Sequence, residues 1–301
     1  MKKSVTFKNG NLKMAGNLYL PEGMDENKKY PAIVCVHPGG GVKEQTAGLY
    51  AKKLSEQGFI ALAFDASYQG ESEGEPRLLE DPTARVEDIR CAVDYFTTLS
   101  YVNAEQIGAL GICAGGGYVI NAAQTEHRIK AVASISAVDI GAMFREAGGS
   151  SEANIETLKA VAAQRTAEAN GAEPMYVSWA PCSPAEINES TPVLMKEAYD
   201  YYRTPRAQHP NSTNRVLFRS FDRLLAFSAF SQIGTLLTQP LLVIAGSEAD
   251  TRGYSEQAYA MANEPKEIFL VEGATHISMY DIPEYVKQAV DKLVEFYHKG
   301  L

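Results

Sequence analysis

The chain has 301 residues, 45% of them hydrophobic and 22% charged, enough for one domain with a full core plus an insertion. No apolar run approaches the roughly 18 residues that span a bilayer, and the N-terminal Lys2-Lys3 is followed by no apolar stretch or small-residue cleavage site, so a soluble, non-exported protein is expected. A net charge of −9 with no basic stripe argues against nucleic acid or an anionic membrane as partner. Cys35, Cys91, Cys113 and Cys182 have neither CxxC nor finger spacing, so neither a zinc site nor a disulfide framework is indicated, and a reducing cytoplasm fits. No metal or other cofactor is implied.

In chain order, two alternating segments, Ser4–Lys8 and Leu12–Leu20, flank Asn9-Gly10-Asn11 and predict an antiparallel hairpin. Strand–helix alternation follows: a strand Ala32–His37, a helix near Glu44–Gln57, a strand Ile60–Asp65, and a helix near Arg85–Leu99 with Val86, Ile89, Val93 and Phe96 on one face. Next come a strand Ile107–Ile112, a small-residue helix Ala114–Gln124 and a strand Ala131–Ser136. This pattern predicts a mostly parallel sheet with helices on both faces.

The alternation then stops for about eighty residues, too long for an ordinary connection. Residues 141–221 are read as an inserted helical cap, and 1–140 with 222–301 as the core. The insert has Ile155, Leu158 and Val161 at helical spacing, Thr191-Pro192 as a helix start before Val193–Tyr202, and the aromatics Phe144, Tyr176, Trp179, Tyr199, Tyr201 and Tyr202. The core pattern resumes with a helix near Phe221–Phe230, a strand Pro240–Ala245, a helix near Tyr254–Ala262, a strand Glu267–Val271 and a helix Pro283–Tyr297 with Val286, Val290, Leu293 and Val294 inward.

The sharpest chemical signal is Gly111-Ile112-Cys113-Ala114-Gly115, between an apolar strand and a small-residue helix. A nucleophile on a strained strand-to-helix turn needs small residues two positions to either side, and a helix N-terminus favours a thiolate or an oxyanion. Cys113 is therefore the expected nucleophile. His37-Pro38-Gly39-Gly40-Gly41 ends the first buried strand, where an oxyanion loop belongs. The N–H of Ala114 is one expected donor and that of Gly39 the other, with Gly40 as the alternative, since Pro38 has no N–H.

His127, His209 and His298 lie in solvated contexts, and His37 is expected to shape the oxyanion loop. His276, in Glu272-Gly273-Ala274-Thr275-His276 between the last strand and the last helix, is the expected base. The acid follows the preceding strand: Asp250, with Glu248 as the alternative. The order Cys113, Asp250, His276 is nucleophile, acid, base. His37, Gly40 and Tyr68 are expected to border the substrate pocket, although an exposed loop position fits Tyr68 equally well.

The elbow GICAGGGY, the loop VCVHPGGGVKEQTAG, the segment ALAFDASYQGESEGEPR and the ending GSEAD…GATH resemble a bacterial group of α/β hydrolases related to dienelactone hydrolases. The resemblance covers most of the core and little of the cap. It implies an α/β-hydrolase fold and hydrolysis of an ester, lactone or thioester by a Cys-His-Asp triad, in a wider group that includes acetyl esterases, dipeptidyl-peptidase-like enzymes and polyketide acyltransferases. Dienelactone hydrolases carry a glutamate beside the oxyanion residue, whereas His37-Pro38 stands here, so the dienelactone substrate does not carry over directly. The expected partner is a small acyl substrate, with acyl transfer or ligand binding without catalysis as alternatives. The insertion also offers surface for a homodimer.

Overall fold

A computed structural model describes residues 1–301, and its strands follow the period-two alternation of the sequence. The chain runs β1 (Lys2–Asn9), β2 (Leu12–Tyr19), β3 (Tyr30–Val36), α1 (Thr46–Ser55), β4 (Ile60–Phe64), α2 (Pro82–Thr97), β5 (Val102–Ile112), α3 (Ala114–Ala123) and β6 (Ile129–Ile135). Then follow α4 (Ile140–Ala147), α5 (Ser151–Ala169), β7 (Tyr176–Ser178), α6 (Val193–Arg203), β8 (Arg215–Leu217), α7 (Phe221–Ala226) and α8 (Ile233–Leu236). It closes with β9 (Leu241–Gly246), α9 (Arg252–Met261), β10 (Lys266–Val271), α10 (Ser278–Asp281) and α11 (Pro283–Gly300).

Eight strands form one sheet in the order β1-β2-β4-β3-β5-β6-β9-β10. The β1–β2 hairpin turns through Gly10 at φ 55° and pairs Asn9 with Leu12; β2 joins β4 antiparallel, and every other pairing is parallel. Alternate residues feed opposite faces. Ala32, Val34 and Val36 of β3 pack with α2 and α3, whereas Ile33 and Cys35 face α1 and α11. A sheet covered on both sides needs such continuous apolar strands, as expected.

The predicted elements are present, with two changes of substance. The helix expected to run Phe221–Phe230 stops at Ala226, and a separate short turn of helix follows at Ile233–Leu236. In α5 the helical spacing was right, but Ile155 and Leu158 are exposed and Val161 alone is buried, so that stripe packs against no core. Between β6 and β9 the chain leaves the sheet, adds the two-stranded β7–β8 ribbon, and closes over the strand ends that carry Cys113 and Gly39. No helix is long and apolar enough to cross a membrane.

Candidate active site

Cys113 stands between β5 and α3 with φ 58° and ψ −122°, a conformation that a non-glycine residue holds only when its surroundings enforce it. The enforcement is visible. The Cys113 N–H donates to the Ile135 carbonyl at 2.9 Å, and its carbonyl accepts from Val138 at 3.2 Å and Gly116 at 2.9 Å. A Cβ on Gly111 would lie 2.1 Å from the Gly115 carbonyl oxygen, and one on Gly115 would lie 2.5 Å from that of Val36. The flanking glycines are thus a steric requirement of the elbow.

At the floor of a cavity, the Cys113 sulfur is within reach of the backbone N–H groups of Ala114 and Gly39 and of the Tyr280 hydroxyl. All three favour the thiolate, yet burial outweighs them and holds the thiol above its ordinary pKa.

The His37–Gly41 loop, where the oxyanion donors were expected, rests on a buried polar platform. Arg85 of α2 donates through Nη2 to the His37 carbonyl at 2.7 Å, lies 3.5 Å from Glu80, and stacks over the Tyr118 ring; the Tyr118 hydroxyl donates to Glu80 at 2.8 Å. His37 is buried beneath the loop, 2.7 Å from the Pro38 carbonyl through Nδ1, and accepts from the Ala66 N–H through Nε2 at 3.2 Å. Burial, with Arg85 alongside, holds it neutral, far below the usual imidazole range. From above, Trp179 covers the glycines: a Cβ on Gly39 would lie 3.1 Å from its ring, and one on Gly40, at φ 70°, 2.7 Å. Ser212 donates to the Gly40 carbonyl at 2.7 Å, tying the same loop to the inserted segment.

His276 is buried in the loop after β10, and burial pushes its pKa down to about 3. Its Nε2 lies 3.1 Å from the Tyr280 hydroxyl. Its Nδ1 lies 2.5 Å from the hydroxyl of Thr251. Asp250, the expected partner, is exposed; its carboxylate instead accepts from the Leu194 N–H at 3.1 Å, capping the start of α6. Against the imidazole, where Asp250 was expected, the structure places the neutral hydroxyl of Thr251, one residue on. Consecutive side chains leave this turn in opposite directions, and the inward one is Thr251. Glu248 is also exposed and accepts from Ser247. The same contact revises the start of α6, where Pro192 rather than Thr191 holds the N-cap position and the cap bond comes from Asp250.

The cavity encloses about 260 Å³. Pro38, Gly39, Cys113 and Ala114 form its floor, and Phe144, Trp179, Leu194, Ala198, Tyr202 and Phe221 are among its walls; no lining residue carries a charge. His37, Gly40 and Tyr68 do not line it. His37 lies below the loop, Gly40 behind Trp179, and Tyr68 packs over Gly74 within the β4–α2 connection.

Three residues at this site escaped the sequence reading. Thr251 sits beside the more obvious carboxylate. Arg85 was read only as the start of a helix near Arg85–Leu99, whereas Asp81-Pro82 starts that helix one turn earlier. Tyr280 follows His276 by four residues, a spacing that puts both on one face of a turn of helix. Tyr202 brings a buried hydroxyl with no hydrogen-bond partner to the same cavity.

A model of the dienelactone hydrolase family matches residues 14–160. The chain is 42% identical to the uncharacterized protein YcjY of Escherichia coli K12 over 305 aligned positions that span all of both chains. It is 36% identical to the uncharacterized protein PA2218 of Pseudomonas aeruginosa, covering 99% of this chain and 81% of that one. The crystal structure of PA2218 superposes with a TM-score of 0.92, covering 100% of this chain and 94% of the other. The acyltransferase drtE of Aspergillus calidoustus is 28% identical, with 90% of this chain and 88% of drtE covered. Solved α/β hydrolases share the fold, as the sequence led one to expect. The chain therefore belongs to the α/β-hydrolase superfamily, as a dienelactone-hydrolase-like member of one family with YcjY and PA2218.

Proposed function

We propose that the protein is a cysteine hydrolase that cleaves small, neutral esters, lactones or thioesters through an acyl-enzyme on Cys113. His276 is the base, Thr251 holds the imidazole, Ala114 and Gly39 donate to the oxyanion, and residues 141–221 serve as the cap over the acyl pocket. The observation that carries this reading is the convergence of two backbone N–H groups on the Cys113 sulfur at the floor of an apolar cavity.

The sulfur attacks the acyl carbonyl, and the charge that develops on oxygen falls between the two N–H donors. Collapse expels the leaving group, and water then releases the acyl group from the thioester. Burial raises the thiol and depresses the imidazole, so the resting pair is neutral, and the proton leaves sulfur as the carbon–sulfur bond forms. A substrate carboxylate, such as that of a dienelactone, would be buried here without a cation, at a cost of several kcal/mol. Neutral acyl groups follow as the substrate class.

An acyl panel tests this: p-nitrophenyl esters of increasing chain length, a neutral lactone and an acyl thioester, offered to the native protein and to Cys113→Ala, with intact mass taken after loading. Turnover and a single acyl adduct in the native protein, both absent from Cys113→Ala, are expected. A variant as active as the native protein, or a native thiol that no substrate acylates, overturns the assignment. Adding a primary alcohol to the same assay separates water from an alcohol as acceptor, the distinction that similarity to an acyltransferase raises.

A further inference from the structure

We infer that Tyr280 is a catalytic residue of this site: its hydroxyl carries the thiol proton from Cys113 Sγ to His276 Nε2, so that nucleophile and base work through a phenol. The inference rests on the cysteine-hydrolase reading above.

Tyr280 is 1% exposed, and its hydroxyl approaches both groups, 3.1 Å from Nε2 and within reach of Sγ. Its position is fixed from behind. Thr46 of α1 donates to the Tyr280 carbonyl at 3.1 Å, and Tyr50 donates to the neighbouring Met279 carbonyl at 2.7 Å, so α10 is bolted to α1.

The hydrogen-bond chain has a direction. With Nδ1–H donated to Thr251, Nε2 presents a lone pair, and the hydroxyl that meets it is that of Tyr280. A phenol donating to Nε2 keeps its own lone pairs for the thiol S–H. The tautomer is assigned from this network.

The transfer balances. As Sγ bonds to the acyl carbon, the S–H bond breaks and its proton goes to the Tyr280 oxygen, while the tyrosine's own proton goes to Nε2. Tyrosine is neutral before and after, and the imidazolium's positive charge matches the oxyanion's negative one. On collapse the bond to the leaving oxygen or sulfur breaks; that atom takes the proton of the Tyr280 hydroxyl, which Nε2 restores. Burial holds the phenol far above its ordinary pKa, so tyrosinate does not accumulate and the two transfers are coupled. The titratable groups facing this hydroxyl are Cys113, His276, and Tyr201 and Tyr202 of α6. Arg85 acts on the thiol from below the loop.

The test compares native protein, Tyr280→Phe and Cys113→Ala by burst kinetics with a p-nitrophenyl ester near pH 7. Thiol alkylation by iodoacetamide is followed from about pH 6 to pH 10. In Tyr280→Phe the acylation rate is expected to fall by about 10²- to 10⁴-fold, the range of a positioned proton-transfer group, with KM nearly unchanged. Alkylation of that variant is expected to lag near neutrality and to converge with the native rate near pH 10, where hydroxide takes the thiol proton directly. A variant that acylates like the native protein, or an alkylation defect that persists undiminished to pH 10, overturns the relay. Turnover by Cys113→Ala would instead sink the cysteine reading itself. Should Tyr280→Phe fail to fold, a proton inventory of native acylation in H2O–D2O mixtures decides: a bowed, two-proton curve supports the relay, and a straight, one-proton line overturns it.

Discussion

Helices α3 and α5 obey opposite rules. The sequence of α3, AGGGYVINAA, contains three consecutive glycines and is a poor helix former, yet it buries nine of its ten residues. The sequence of α5 has a Ser150 N-cap and Glu152 in the first turn, with strong helix formers throughout, yet it buries one residue of nineteen. Packing makes α3 a helix: a Cβ on Gly117 would lie 2.3 Å from the Val138 carbonyl oxygen, so only bare backbone fits against the loop that follows β6. Local propensity makes α5 one. The proposed chemistry sits where packing rules, because a strained turn needs rigid surroundings.

That contrast breaks most readily by substitution. Gly115→Ala sets a methyl against two backbone carbonyls, at 2.5 and 2.8 Å, and is expected to destabilise the protein by about 3 kcal/mol while displacing the Ala114 donor. Leu158→Gln on α5 is expected to fall within about 0.5 kcal/mol of the native protein. Urea unfolding measures both, and comparable losses would mean that α5 is buried in solution.

The neighbours Thr251 and Asp250 sharpen the same division, one serving the core site and the other the inserted segment. Thr251→Val removes the partner of Nδ1 and is expected to lower kcat by about 10²-fold, less than the loss of a carboxylate orienter. Asp250→Asn is expected to keep kcat within about twofold and to leave α6 within about 0.5 kcal/mol of the native protein, because the amide oxygen can still accept from the Leu194 N–H. Steady-state kinetics with a saturating ester decide. A collapse of kcat in Asp250→Asn would mean that the carboxylate leaves α6 and reaches His276 during turnover.

The smallest effect expected is with pH. With its pKa held near 3, the His276 imidazole stays a competent base in mild acid, so kcat/KM is expected to be flat between about pH 5 and 8. A decline centred near the ordinary imidazole pKa of about 6.5 would mean that the ring is hydrated.

Stability is expected to behave differently. Between about pH 6.5 and 3 the unfolded chain protonates His276 and His37 while the folded one does not, so their contribution falls as pH falls through that window. Asp88 has the opposite sign: raised to about 6 by burial, it binds its proton more readily in the fold, and offsets part of the loss between about pH 6 and 4. Melting temperature measured from pH 7 to pH 4 reads the balance, with a net fall expected.

Much of the fold was legible because period and punctuation are local. The strands β3, β5 and β9, the apolar face of α2 and the GICAG turn need only nearest neighbours to be recognised. The placement of Cys113, Ala114, Gly39 and His276 was readable for the same reason, each following the end of a strand. The acid was not: Asp250 and Thr251 are adjacent in the chain, and which of them meets the imidazole depends on how the turn after β9 exits and on what α6 takes for its cap. Tyr280 and Arg85 were illegible in the same way, since a tyrosine and an arginine are unremarkable until a distant element sets them against a reacting atom or a loop carbonyl.

The sequence alone thus determined the layers of the core, the elbow turn and the loops in which Cys113 and His276 sit, because backbone sterics and hydrophobic period act over a few residues. Only the tertiary structure decided what touches the imidazole, what supports the oxyanion loop and what walls the cavity. Those contacts join residues dozens of positions apart, where side-chain direction and burial rather than local pattern decide which groups meet.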